Sequence, residues 1–168
     1  VQLLKTELLN NKNLNINTTI KAEQIVPYND LNNLLLNFKI EEGLIDINNS
    51  KFRWLNNVDF QIFDSLIYLK DNNLVLDGNI LINVNDVSEI YKFFQTPRYY
   101  RKEIKEIKFN LIYNFDQKII SLNNIKIDDY NNQNVNQIFN QINIKETILQ
   151  NKFYIKNLIN KAIKSYAG

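Results

Sequence analysis

The acids are the side chains of this chain best suited to moving protons, and they include Asp59, Asp64, Asp71, Asp77, Asp86, Asp116, Asp128 and Asp129. Two carboxylates that meet across a cleft are enough for glycoside hydrolysis, but no spacing in the sequence singles out a pair. His, Cys and Met are each absent. The chain therefore has no imidazole for acid–base work, no thiol nucleophile and no thiolate ligand. Without cysteine there is no disulfide to report a redox compartment. Residues 128–134, Asp-Asp-Tyr-Asn-Asn-Gln-Asn, superficially look like a calcium loop. They lack its glycine and its terminal Glu, so the segment reads as a solvated loop. These residues point away from an enzyme and call for no cofactor and no metal.

A second group could bind rather than react. Arg98-Tyr99-Tyr100-Arg101-Lys102, followed by Lys105 and Lys108, mixes cations with aromatic rings. Such mixtures hold single-stranded nucleic acid or anionic lipid headgroups. A net charge of +2 is too small to imply a nucleic-acid partner, and Glu103 and Glu106 dilute the run. Arg98, Arg101 and Lys102 are therefore candidates for headgroup contact. The plain alternative is a solvated connector whose tyrosines tuck against the rest of the fold.

The elements that must position these residues are mostly strands. In Asn73–Asn85, Leu74, Leu76, Ile80, Ile82 and Val84 are apolar at every second position, the period of a strand with one buried face. Gly78 falls on the apolar side of that count, where a glycine marks a bulge, a bend or a close approach to the backbone. Upstream, alternation predicts strands over Leu14–Ala22 and Leu34–Ile40, with a break at Pro27-Tyr28-Asn29-Asp30. Leu44–Ile47 reads as a short strand, Asn48-Asn49-Ser50 as a turn and Lys51–Leu55 as the return strand. Val58–Ile62 begins another, continued or restarted near Asp64-Ser65, and Asp71-Asn72-Asn73 is a hairpin turn. The segments 43–52 and 60–67 share a loose strand–turn–strand pattern, as either a decayed repeat or chance would give. Val1–Leu9 is apolar with weak periodicity and fits a strand or a short helix.

The pattern changes at Asp86-Val87-Ser88-Glu89, a capping box opening a helix over 86–96 that Pro97 ends. Ile107, Phe109, Leu111, Tyr113 and Phe115 alternate along a long strand, and Ile120 to Ile127 return, interrupted at Asn123-Asn124. Val135, Ile138, Phe139 and Ile142 have helical spacing. Ile155, Leu158, Ile159, Ala162, Ile163 and Tyr166 form one stripe of a final amphipathic helix, with Lys152, Lys156, Lys161 and Lys164 on its wet side and no acid after Glu146. That stripe is expected to cover the sheet rather than lie on a membrane.

The whole is a mainly-β (α+β) fold of roughly eight strands, a curved antiparallel meander with a short central helix and C-terminal amphipathic helices. Residues 1–128 would form the sheet and 129–168 a helical cap of one structural domain. The length of 168 residues suits one domain with a real core. The abundance of Asn, Ile, Lys, Tyr and Phe is that of an A/T-rich bacterial genome, so many Asn read as surface filler. No stretch is long and apolar enough to span a bilayer. The start at Val1 suggests a piece of a longer protein, with any anchor lying upstream.

The runs FDSLIYLKDNNLVLDGNILINVND, VSEIYKFFQTPRYYRK and IKFNLIYNFDQKIISLNNIKID, with Leu74-Val75-Leu76-Asp77-Gly78 as the characteristic piece, resemble the C-terminal region of AsmA-like proteins of A/T-rich alphaproteobacteria. That resemblance implies a periplasmic segment tethered to the inner membrane by a helix outside this sequence. It implies a long antiparallel sheet bent into an apolar groove, which handles phospholipid between the inner and outer membranes. The lining residues would be Leu74, Leu76, Ile80, Ile82, Ile107, Phe109, Leu111 and Tyr113, and the partners phospholipid acyl chains and inner- or outer-membrane envelope proteins. The terminal helices and the basic connector are not part of the generic strand repeat of that family. The same alternation would also make a closed dry core, and then the chain would be a protein-interaction or capping module of an envelope assembly.

Overall fold

The computed structural model describes residues 1–2, 4–5, 9, 11–26, 28–140, 144–145 and 151–168, with the side chain of Asn29 also left aside. Among the described residues, ten strands form one antiparallel sheet. They are β1 (Ile16–Ile25), β2 (Tyr28–Glu41), β3 (Leu44–Asp46), β4 (Lys51–Trp54), β5 (Val58–Lys70), β6 (Asn73–Val84), β7 (Glu106–Asn114), β8 (Ile119–Ile127), β9 (Tyr130–Asn131) and β10 (Ile144–Lys145). The order β1-β2-β3-β5-β6-β7-β8-β10 follows the sequence, with β4 also lying between β2 and β5 and β9 paired to β8, so the antiparallel meander is observed as expected. Between β6 and β7 lie α1 (Val87–Phe93) and a single 3-10 turn, Arg98–Tyr100; α2 (Gln133–Asn140) and α3 (Lys152–Ala167) follow β9 and β10.

Local chemistry sets the hairpins. Glu42-Gly43, Asp71-Asn72 and Asp128-Asp129 each join paired strands through two residues with positive φ. This is the turn whose twist matches that of the flanking strands, and Gly, Asn and Asp tolerate it best. With only three glycines in the chain, Asn takes over left-handed positions: Asn33, Asn49, Asn56, Asn72 and Asn124 all have positive φ. Asp128-Asp129 is thus a hairpin turn, and Asn132 caps α2 by accepting the Val135 N–H at 3.1 Å.

Several expectations need correction. Lys51–Leu55 does not return from Asn48-Asn49-Ser50. Both β3 and β4 run antiparallel to β2 and to β5, so 44–54 is one strand interrupted at 47–50. The two similar segments are not stacked repeats; they lie side by side and their irregular points meet. Asn48 Oδ1 accepts from the Ser65 N–H at 2.6 Å and from its hydroxyl at 2.9 Å, and Ser65 Oγ accepts from the Ile47 N–H at 2.9 Å. β5 does not restart but continues through a bulge at Asp64-Ser65, where Asp64 has φ 48°. The break before β2 is narrower than expected, because Tyr28 to Asp30 already belong to that strand. α1 spans Val87–Phe93 rather than 86–96. Asp86 caps it through the Ser88 N–H at 2.9 Å, while Glu89 faces Lys92 at 3.9 Å instead of reaching back. Residues 129–168 contribute β9 and β10 to the sheet edge as well as two helices. The element expected over Val1–Leu9, the break residue Pro27, and Ile142 and Glu146 fall wholly or partly outside the described residues.

Two apolar clusters share one face of the sheet. One joins Ile40, Ile45, Ile67, Leu74 and Leu76, with Leu4, Leu9 and Leu14 packed onto it. The other joins Ile125 and Ile127 of β8 to Val135, Ile138 and Phe139 of α2 and Leu158 and Ala162 of α3. The stripe expected on the last helix is therefore what closes this end of the sheet. Asn151 starts that helix by accepting the Tyr154 N–H at 3.1 Å.

Candidate functional site

In an antiparallel ladder, directly opposed residues point to the same face. β6 and β7 pair Leu76 with Tyr113, Gly78 with Leu111, Ile80 with Phe109 and Ile82 with Ile107, without a register shift. Leu74 continues the alternation, so all eight sequence-predicted lining residues fall on one face. They do not share one environment. Leu74 is fully buried and Leu76 nearly so, inside the cluster with Ile45 and Ile67, and Tyr113 packs at its rim against Phe115 with ring centroids 4.7 Å apart. Ile82, Ile107 and Phe109 instead line a cavity of about 300 Å³ between the sheet and the three helices. Ile80 is buried beside them, and Leu111 lies half-buried between the two clusters.

The cavity is apolar on every side. Phe60, Phe109, Phe139 and Ala162 are among its walls, contributed by β5, β7, α2 and α3. On the β4–β5 side, Phe52 and Phe60 stack with centroids 4.6 Å apart, and Trp54 meets Phe93 edge-on at 5.0 Å. Tyr166 also borders the cavity, and its hydroxyl donates to Asp128 Oδ2 at 3.3 Å. Burial pushes the Tyr166 phenol up, and the Asp128 charge adds to it. Burial likewise pushes the Tyr91 phenol up, and that hydroxyl donates to the Lys102 carbonyl. Both phenols remain neutral donors near pH 7.

Polar side chains gather at the register irregularities of the sheet. The Ser50 hydroxyl accepts from the Asn37 N–H at 3.0 Å; Asn48 and Ser65 join the interrupted strand to the β5 bulge; Asn110 donates to Asp77 Oδ1 at 2.7 Å. The bulge at Ser65 presses on Gly78, where an added Cβ would stand 3.0 Å from Ser65 Cβ. The close approach expected of Gly78 is thus met by the neighbouring strand. Bulges bend and twist the strands that carry them, and β5 carries this one opposite Gly78 of β6. Sequence reasoning missed these polar groups because Asn looked like filler; Asn at positive-φ positions beside Ser was the available signal.

The aspartates have structural partners. Asp116 accepts the Leu74 N–H at 2.7 Å and pairs with Lys5 at 2.8 Å, which holds its carboxyl below the usual range. Asp128 accepts the N–H groups of Lys105 and Glu106, both at 2.9 Å. Asp59 pairs with Arg53 at 2.7 Å and Asp129 with Lys108 at 3.0 Å. Asp64 has Asn79 at 3.5 Å, Asp77 has Asn110, Asp86 caps α1 and Asp71 makes a turn. Among the described residues no group of His, Cys, Asp and Glu is arranged to hold a metal ion.

Of the basic candidates, Arg98 is exposed at the start of the 3-10 turn. Arg101 Nε donates to the Thr96 carbonyl at 2.9 Å, and Lys102 Nζ lies 5.9 Å from the Tyr166 ring centroid. Tyr99 does not tuck in: it is 87% exposed and meets Tyr100 edge-on at 5.1 Å. No described helix is long and apolar enough to cross a membrane. No protein-family model, curated protein or solved structure matches this chain.

Proposed function

We propose that this chain is a non-catalytic, lipid-handling sheet domain that takes a phospholipid acyl chain onto its apolar face. The observation that carries the proposal is the cavity of about 300 Å³ walled by apolar side chains between β5–β8 and the helices. Each methylene moved there from water gains about 0.8 kcal/mol, so about six methylenes gain about 5 kcal/mol. Binding of this kind needs no charged residue and no chemical step. Ile80, Ile82, Ile107 and Phe109 belong to this end of the face, with Leu111 as the link to the open middle. Leu74 and Leu76 serve the neighbouring core. The AsmA-like resemblance supports the same reading, with the domain acting in the periplasm as a segment of a longer, tethered protein.

Native mass spectrometry of the chain purified from a membrane-containing extract tests this. Co-purified phospholipid is the expected result, and Ala162→Phe, which fills the cavity, should release it while the chain stays folded. A folded chain free of lipid, or lipid retained unchanged by Ala162→Phe, sinks the proposal. The second reading is a dry-cored module that docks to an envelope protein. It is favoured by the closure of the face at both ends, where Leu74 and Val135 are almost fully buried.

A further inference from the structure

We infer that the surface formed by the 3-10 turn, α2 and the C-terminal half of α3 docks onto an anionic membrane surface. This face is separate from the apolar cavity and does not depend on what the cavity holds. Between these elements lies an open hollow of about 750 Å³. Lys161, Lys164 and Ser165 of α3 form its floor, Gln137 of α2 stands on one side, and Tyr99 and Tyr100 stand on the other. In the sequence the basic run at 98–102 lies more than fifty residues from Lys161 and Lys164 of the last helix; only the fold sets them around one hollow.

Charge is one-sided here. Arg98–Lys102 carries three cations and no acid, residues 133–140 carry no charged side chain, and residues 152–168 carry four lysines and no acidic side chain. The nearest sequence acid, Glu103, faces Lys105 at 3.4 Å. Lys161 and Lys164 are exposed and have no carboxylate partner among the described residues. Lys164 Nζ sits 5.4 Å from the Tyr100 ring centroid, so the cation is held at the hollow by an aromatic face. Tyr99 projects beyond it, 87% exposed. An amphipathic ring standing out beside unpaired cations matches the headgroup layer of an anionic bilayer, where tyrosine places its ring among the headgroups and lysine meets the negative surface potential.

Single-stranded nucleic acid fits less well. Base stacking needs free ring faces. Tyr100 has Lys164 over its ring and Tyr99 against it edge-on, which leaves Tyr99 as the one open ring of the pair.

The test is co-sedimentation of the 168-residue chain with vesicles of phosphatidylglycerol and phosphatidylcholine in equal parts, against vesicles of phosphatidylcholine alone. Binding should be confined to the anionic vesicles. The double variant Lys161→Gln/Lys164→Gln should weaken it about 25-fold, about five-fold for each lysine. Tyr99→Ser should weaken it as well, and both sites are exposed enough for the variants to fold. Lys70→Gln, which removes an exposed cation of β5 that does not line the hollow, should leave vesicle binding intact. Equal binding to both vesicles, binding to neither, or full affinity in the double variant overturns the inference. Tighter binding to a single-stranded oligonucleotide than to anionic vesicles also overturns it.

Discussion

Gly78 and Ser65 show how closely two backbones approach in this sheet. An added Cβ at Gly78 would lie 3.3 Å from Ser65 Cα, and Ser65 is held in place through Asn48. That backbone has little room to yield, so Gly78→Ala should destabilise the chain by about 1–3 kcal/mol in urea unfolding. Pairing it with Ser65→Gly should recover part of the loss; an unchanged midpoint in Gly78→Ala would show that the bulge moves freely. Asp116 makes a prediction in pH. Its carboxyl is depressed below the ordinary 3.8, first by the Lys5 hydrogen bond and then by the Leu74 N–H. The folded state therefore binds fewer protons than the unfolded state in the acid range. The resulting stabilisation is fully present above the unfolded value and is lost as pH falls through the folded one. Asp116→Asn should flatten the fall in melting temperature between about pH 5 and about pH 2; an unaltered slope would mean that Asp116 does not contribute.

At the scale of elements, one side chain adds hydrogen bonds to the apolar packing that holds α2 on the sheet. Asn136 Oδ1 accepts the Ile125 N–H at 2.7 Å, and its amide donates to the Ile125 carbonyl at 2.8 Å and to Asn131 Oδ1 at 2.8 Å. It serves as an extra rung of β8 beside the positive-φ residue Asn124. Asn136→Ala leaves both Ile125 groups without these partners, at a cost of about 1–3 kcal/mol. Hydrogen exchange should rise at Ile125 and across α2 before it rises in β6. Uniform protection in the variant would show that apolar packing alone seats the helix. The interruption at 47–50 and the β5 bulge were half visible in the sequence as turn residues. Turn residues inside a strand and turn residues between strands are of the same types. Only pairing with β2 and β5 distinguishes them.

Across the whole molecule, the apolar face is divided. Leu76 is buried among Ile45, Ile67 and Leu74, whereas Leu111 is half-buried between the clusters. An aspartate at 76 would be a buried, unpaired charge, so Leu76→Asp should unfold the chain. Leu111→Asp should leave it folded, read by circular dichroism, and should reduce crosslinking to lipid. If both variants unfold, the face is continuous core; if neither loses lipid, the acyl chain lies elsewhere.

Alternation of apolar residues determined by itself that this chain is an antiparallel meander with helices at its end, because side-chain period follows directly from backbone geometry. It also determined that the eight residues of β6 and β7 share a face, since parity within each strand and pairing between neighbours leave little freedom. What covers each part of that face was decided only in three dimensions. Burial depends on contacts between segments far apart in the chain, such as Leu9 against the Ile40–Ile45 end and Ala162 against the Ile125–Ile127 end. The same holds for the hollow between Tyr99 and Lys161: local pattern records which face of a helix is wet, but not which other element stands beside it.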